Sequence, residues 1–202
     1  MEIKRRTQEE RSAATRDALI SAARKLWGRR GYAEVGTPEI ATAAGVTRGA
    51  MYHQFADKAA LFREVVEAVE QEVMARMATM VATSGGTSPA DALRAAVDAW
   101  LEVSADPEVR QLILLDAPSV LGWAAFRDVA QRYSLGMTEQ MLTEAIRAGQ
   151  LARQPVRPLA HVLIGALDEA AMAIATAEDP KRARRETRQA LHRLINAMLD
   201  KR

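Results

Sequence analysis

Apolar positions in this chain repeat at intervals of three and four residues, the spacing that lines one face of an α-helix. Between Ser12 and Arg30, Leu19, Ala22, Ala23, Leu26 and Trp27 form such a face, and Gly31-Tyr32 ends it; Trp27 and Tyr32 read as core. After Asp57, a capping residue, Leu61, Val65, Val69, Val73, Met77 and Val81, joined by Phe62, Val66, Met74 and Met80, keep a wide apolar face. That face lasts about 24 residues, or roughly 36 Å of helix. A polar loop over 83–87 follows, and Ser88-Pro89-Ala90-Asp91 opens a helix that turns Leu93, Val97, Trp100 and Leu101 inward. Asp106-Pro107-Glu108 opens another, containing Leu112, Ile113, Leu114 and Leu115, with an end expected near Asp116-Ala117-Pro118. The pattern then predicts that Asp116 to Gly122 is not regular helix throughout and that a long helix runs from Trp123 to Ala148, stopped by Gly149.

The last two elements differ in kind. Leu159 to Ala175 is apolar almost all the way round yet too short to span a membrane, and a helix of that sort must be covered on every side. The final helix, opened by Asp179-Pro180, carries Leu191, Leu194, Ile195 and Met198 as one stripe opposite a basic face. Two neighbouring helices with more apolar surface than one domain covers imply a partner chain, most simply a twofold four-helix bundle.

The stretch from Thr37 to Phe62, TPEIATAAGVTRGAMYHQFADKAALF, has another pattern. Thr37 is expected to cap a short helix, with Pro38 in the first position and Glu39 complementing the dipole; Gly45 suits the C-terminal turn. Thr47 caps a second short helix over residues 48–54, whose Met51 and Phe55 face inward while Arg48, Gly49, Tyr52 and His53 face out. Two helices joined by so short a turn form the helix-turn-helix, in which the second helix enters the major groove.

The features Ile40-Ala41, Ala44-Gly45-Val46-Thr47, Gly49, Met51-Tyr52, Phe55, Lys58 and Leu61-Phe62, in register without a gap, resemble the DNA-binding signature of the TetR family of bacterial transcriptional regulators. Ala50 stands where a threonine is common, and Ala59-Ala60 replaces a more acidic pair. The resemblance implies that Thr37, Thr47, Tyr52 and Lys58 touch the phosphate backbone, that Gly49 lets the helix approach closely, and that dimerisation uses the last two helices. From chemistry alone, Arg48 suits a bidentate contact with guanine, Tyr52 a phosphate, and His53 either. The expected architecture is all-α with about nine helices: a DNA-binding domain over 1–58 and a helical regulatory and dimerisation domain over 59–202.

Composition narrows the chemistry. The chain has no cysteine, and three scattered histidines make no metal site. GxSxG, P-loop, GxGxxG and HExxH motifs are absent, so neither catalysis nor a cofactor is expected. The first residues, MEIKRRTQEER, lack the apolar core of a signal peptide, which with the absence of a long apolar run leads to the expectation of a soluble, cytoplasmic protein. Residues 1–58 hold 11 Lys and Arg against 7 Asp and Glu, a charge of +4 against −2 for the remainder, so the positive charge lies in the half with the helix-turn-helix. Residues 1–11 read as a mixed-charge arm whose Lys4, Arg5 and Arg6 either reach DNA or stay in solvent.

The family commonly holds a small-molecule cavity in its second half, and the resemblance suggests Trp100, Trp123, Phe126, Met137, Met141 and Leu167 as its lining, with Gln111, Asp116, His161 and Asp168 orienting a ligand. His161 and Asp168 share a helical face with Gly165 and Met172, which is read as meeting an interface or solvent. The function expected is a homodimeric repressor of a palindromic double-stranded DNA operator, released by a small-molecule effector. The alternatives are a constitutive DNA-binding protein and an all-helical small-molecule-binding protein.

Overall fold

The structure, a computed structural model, describes residues 7–199, and every regular element among them is helical. Helix α1 (Gln8–Arg30) begins before its apolar face does because Thr7 and Glu10 close a capping box: the Thr7 hydroxyl accepts the Glu10 N–H at 3.2 Å and the Glu10 carboxylate accepts the Thr7 N–H at 2.8 Å. The arm expected up to residue 11 is therefore helical from Gln8, and its cations Lys4, Arg5 and Arg6 lie outside the described residues.

Helices α2 (Thr37–Ala43) and α3 (Arg48–Gln54) follow, with Gly45 at φ 69° in the turn between them, a conformation that costs glycine little. Thr37 does not cap α2. Gly36 holds that position without a side-chain bond, while Thr37 is buried in the first turn with its hydroxyl 3.3 Å from that of Tyr52. Thr47, Asp57 and Ser88 do cap, accepting the N–H groups of Ala50, Ala60 and Asp91 at 3.1, 2.7 and 3.2 Å. They start α3, α4 (Lys58–Thr83) and α5 (Pro89–Val103).

The middle of the chain departs from expectation twice. Helix α6 (Pro107–Val109) runs into a π-helical segment, Arg110–Asp116, and on into α7 (Ala117–Ala130), so Pro118 ends nothing. The Ala117 N–H reaches back to the Leu112 carbonyl, five residues away, and this wider turn leads into the proline with the chain still helical. The break comes at Gly122, at φ 74° and ψ 159°. A second π-helical segment, Gln131–Leu135, then divides the expected long helix before α8 (Gly136–Arg147).

Helices α9 (Val156–Ala175) and α10 (Pro180–Leu199) complete the fold. At 20 residues α9 is longer than its apolar core suggested and reaches the length and apolarity of a membrane span. It nevertheless carries Arg157, His161, Asp168 and Glu169, and its Ala160, Leu163, Ala170 and Ala171 are buried within the protein.

Two apolar clusters hold the helices together. The first runs without interruption from Leu19 of α1 through Val35, Ile40, Met51 and Phe55 to the α4 stripe and on to Val129, so the helix-turn-helix shares its core with the helices beyond it. At its heart Trp27, Tyr32 and Phe62 stack edge to face and tilted, with ring centroids 4.9–5.4 Å apart. The second cluster joins Leu93, Val97 and Leu101 of α5 to Leu142, Leu163, Leu191 and Ile195 of α8, α9 and α10.

Candidate nucleic-acid interface and ligand cavity

Helix α3 is pinned from beneath. Met51 is wholly buried and Phe55 nearly so, and from α1 the Arg16 guanidinium lies 4.5 Å above the Phe55 ring while bonding the Gln54 carbonyl at 3.3 Å and Glu64 at 2.7 Å. The Gln54 amide also donates to the Ser12 hydroxyl at 2.8 Å. The sequence carries no local signal for Arg16, Ser12 and Gln54, because the pairs that join them are 38 and 42 residues apart.

With its inner face fixed, α3 presents the opposite one. Arg48, Gly49, Tyr52 and His53 are all exposed, Tyr52 by 42%. The Arg48 guanidinium sits 5.5 Å from the Tyr52 ring centroid, and the hydrogen bond to Thr37, then the nearby Arg48 charge, lower the Tyr52 phenol pKa. A Cβ on Gly49 would meet only the Thr47 hydroxyl oxygen, at 3.9 Å, so this patch of helix backbone is bare. Thr47 is exposed at the same end. An exposed arginine, a phenol, an imidazole and bare backbone on one short helix suit a surface that must press close to a groove and meet both base edges and phosphates.

Lys58 is turned elsewhere. Its ammonium donates to the Tyr32 carbonyl at 2.6 Å and lies 3.9 Å from that ring centroid, where burial lowers its pKa. Lys58 is half-buried and Thr37 buried, so of the residues assigned to phosphate contact Thr47 and Tyr52 are the exposed ones.

A cavity of about 350 Å³ opens behind this unit, walled by α4, α5, α7, α8, α9 and both π-helical segments. Seven of the expected lining residues surround it: Trp100, Trp123, Phe126, Met137, His161, Leu167 and Asp168. His161 and Asp168 thus face the cavity with Gly165 and Met172. Met141 does not reach it and packs with the α8–α10 cluster. Gln111 and Asp116 point the other way: the Gln111 amide lies beside Gly31, and the Asp116 carboxylate accepts the Tyr32 N–H at 2.8 Å. The wider turn of Arg110–Asp116 rotates side chains off the α-helical register, which displaces these two while Ile113 and Leu114 line the cavity.

The cavity wall is fixed in places. The Trp100 indole N–H donates to the Leu167 carbonyl at 3.0 Å, tying α5 to α9. Arg127 approaches His161 at 2.9 Å and lies 5.4 Å from the ring of Trp123, which is 68% exposed at the rim. Burial and then the Arg127 charge lower the His161 pKa, so the imidazole accepts from the guanidinium. Glu70 of α4 also lines the cavity, 4% exposed; burial, and secondarily the charge of Asp168, raises its pKa to about 7. Burial raises Asp168 to about 7 as well. The signal was legible: Glu70 interrupts the face made by Val66, Val73, Met74 and Met77.

Comparison with known proteins agrees with this arrangement. Residues 90–198 match the profile of the tetracyclin repressor-like C-terminal domain, and residues 19–65 that of bacterial regulatory proteins of the tetR family. The chain is 33% identical over 154 residues to the HTH-type transcriptional regulator AcrR of Shigella flexneri, covering 73% of this chain and 71% of that one. It is 25% identical over 158 residues to the transposon Tn10 TetC protein of Escherichia coli, covering 78% and 79%. Among solved structures, a TetR-family transcriptional regulator from Pectobacterium atrosepticum superposes with a TM-score of 0.80 at 32% identity, covering 97% of this chain and 99% of that one. RolR, solved in complex with resorcinol, shares the fold at a TM-score of 0.73 and 19% identity, covering 96% and 97%. The helix-turn-helix, the helical body behind it and these matches along nearly the whole chain make one conclusion: the protein belongs to the TetR family and is a DNA-binding transcriptional regulator.

Proposed function

We propose that the protein acts as a homodimeric repressor that carries two copies of α3 into successive major grooves of a palindromic operator and leaves it when a small molecule occupies the cavity. The observation that carries the reading is the outward face of α3, with Arg48, Gly49, Tyr52 and His53 exposed on a helix held rigidly by Met51, Phe55 and Arg16. Arg48 is the residue for a guanine edge, Tyr52 and Thr47 serve phosphates, and His53 serves either. Lys58 joins them on exchanging the Tyr32 carbonyl for a phosphate oxygen.

Dimerisation through α9 and α10 is supported by what these helices leave uncovered. Val162 is 65% and Leu194 45% exposed, and only 22% of the most apolar stretch of α9 is buried within one chain. A twofold partner laid on that face covers both residues.

Two elements connect cavity to reading head. Helix α4 carries Glu70, Met74 and Met77 on the cavity and Leu61 and Phe62 in the core beneath α3. The segment Arg110–Asp116 lends Ile113 and Leu114 to the cavity while Asp116 holds the Tyr32 N–H and Gln111 abuts Gly31 at the end of α1. A ligand that prefers one arrangement of these elements changes operator affinity by its differential affinity, commonly about 1–3 kcal/mol. Binding of the full chain to the DNA upstream of its own reading frame, with and without Arg48→Ala, tests the reading. The substitution should cost about 1–3 kcal/mol and relax preference at one base pair per half-site; an unchanged affinity and preference would remove α3 from the groove.

A further inference from the structure

We infer that the cavity takes an organic cation on an aromatic body, its positive charge seated between Glu70 of α4 and Asp168 of α9. The inference rests on the reading of this cavity as the effector site and supplies the ligand's chemical class. Glu70 is buried on the cavity wall at 4% exposure and Asp168 is half-buried on the same wall, and among the described residues neither carboxylate has a hydrogen bond or ion pair. Buried carboxylates without a partner are disfavoured unless a proton or a positive charge arrives.

The other ionisable groups on the wall do not supply it. Arg127 is held by His161 at 2.9 Å and by the Trp123 face, and His161, lowered by burial and by Arg127, stays uncharged. Glu169 adds only a further negative charge, and it is exposed. A metal ion fits poorly, because no three His, Cys, Asp or Glu side chains among the described residues converge to hold one. The remaining lining includes Trp100, Trp123 and Phe126 with Met74 and Met77, the aromatic and polarisable side chains that accept a soft organic cation. At about 350 Å³ the space is that of a small-molecule site. With both carboxyls raised to about 7, a cation displaces protons that the empty site retains near neutrality, so its affinity should rise between pH 5.5 and pH 8.

The test is calorimetry on the full chain with three bicyclic probes of matched size. They are trimethyl(2-naphthylmethyl)ammonium, uncharged N,N-dimethyl-2-naphthylacetamide and the 2-naphthylacetate anion, backed by a set of other aromatic quaternary ammonium ions. At pH 8 the cations should bind about tenfold or more tightly than the uncharged probe, the anion should bind worst, and the preference should shrink at pH 5.5. The variant Glu70→Gln with Asp168→Asn, checked for cooperative melting, should lose the preference, and each single variant should lose part of it. Equal or better binding of the uncharged or anionic probe, a preference that survives the double substitution, or no binding by any cation in the set overturns the inference. Probes that bind without charge preference yet weaken operator binding would overturn it and leave the regulatory reading standing. A cation bound with the expected preference but without effect on operator binding would uphold the charge assignment and end the regulatory reading.

Discussion

Replacing Glu70 by glutamine should stabilise the ligand-free protein, and by an amount that depends on pH. The native carboxyl titrates at about 7 where an unfolded one titrates at 4.5, so between those values the folded state holds more protons than the unfolded state. Stability from this group is therefore complete below about pH 4.5 and is lost as pH rises through 7. Evaluated from the two pKa values, the cost is about 1 kcal/mol at pH 5 and about 3 kcal/mol at pH 8. Glutamine keeps the shape and cannot ionise, so the advantage of Glu70→Gln over the wild type should grow by about 2 kcal/mol between these pH values. For a chain of this size that is a widening of roughly 4–8 °C in Tm. Thermal melts of both proteins at pH 5, 6, 7 and 8, without ligand, measure it. A Tm difference that stays constant with pH, or a variant that loses ground at pH 8, would refute the claim that Glu70 is a buried, uncompensated acid.

Other consequences are as direct. Gly49→Ala should raise Tm modestly, since alanine favours helix over glycine by at most about 1 kcal/mol and the site, in the first turn of α3, is open, yet it should weaken operator binding; a variant that binds DNA as well as the wild type would place Gly49 outside the contact. Lys58→Ala should lower Tm by removing the bond to the Tyr32 carbonyl, and its salt slope for DNA should fall by about 1 if the ammonium also meets a phosphate; an unchanged slope assigns Lys58 to the fold alone. Val162→Asp combined with Leu194→Asp should leave a folded monomer in analytical ultracentrifugation, and an unaltered dimer would move the interface away from α9 and α10.

Sequence reached furthest where structure is local. Thr47, Asp57 and Ser88 were legible as caps because each bonds a backbone N–H three residues on, and the inward Met51 and Phe55 and outward Tyr52 and His53 follow from helical spacing alone. Thr37 failed as a cap because its hydroxyl is turned to Tyr52, fifteen residues away, a tertiary contact that local reading omits. Around Pro118 and within the expected long helix the apolar spacing of a π-turn differs too little from that of an α-turn to be seen, yet the rotation it introduces moves Asp116 from the cavity to Tyr32. The Arg24 guanidinium, which bonds Glu72 at 2.7 Å and Glu108 at 2.8–3.0 Å and so joins α1 to α4 and α6, spans separations of 48 and 84 residues. Glu70 is a different matter: an acid inside the α4 stripe is visible in the sequence, but only the structure brings Asp168 to the same cavity.

The most direct measurement of the central claim is selection of random duplex DNA by the full chain at low salt. Two copies of α3 related by a twofold axis should enrich an inverted repeat whose half-site centres lie about 10 base pairs, or a multiple of that, apart. Enrichment of no sequence, or of a single unrepeated site, would contradict the account.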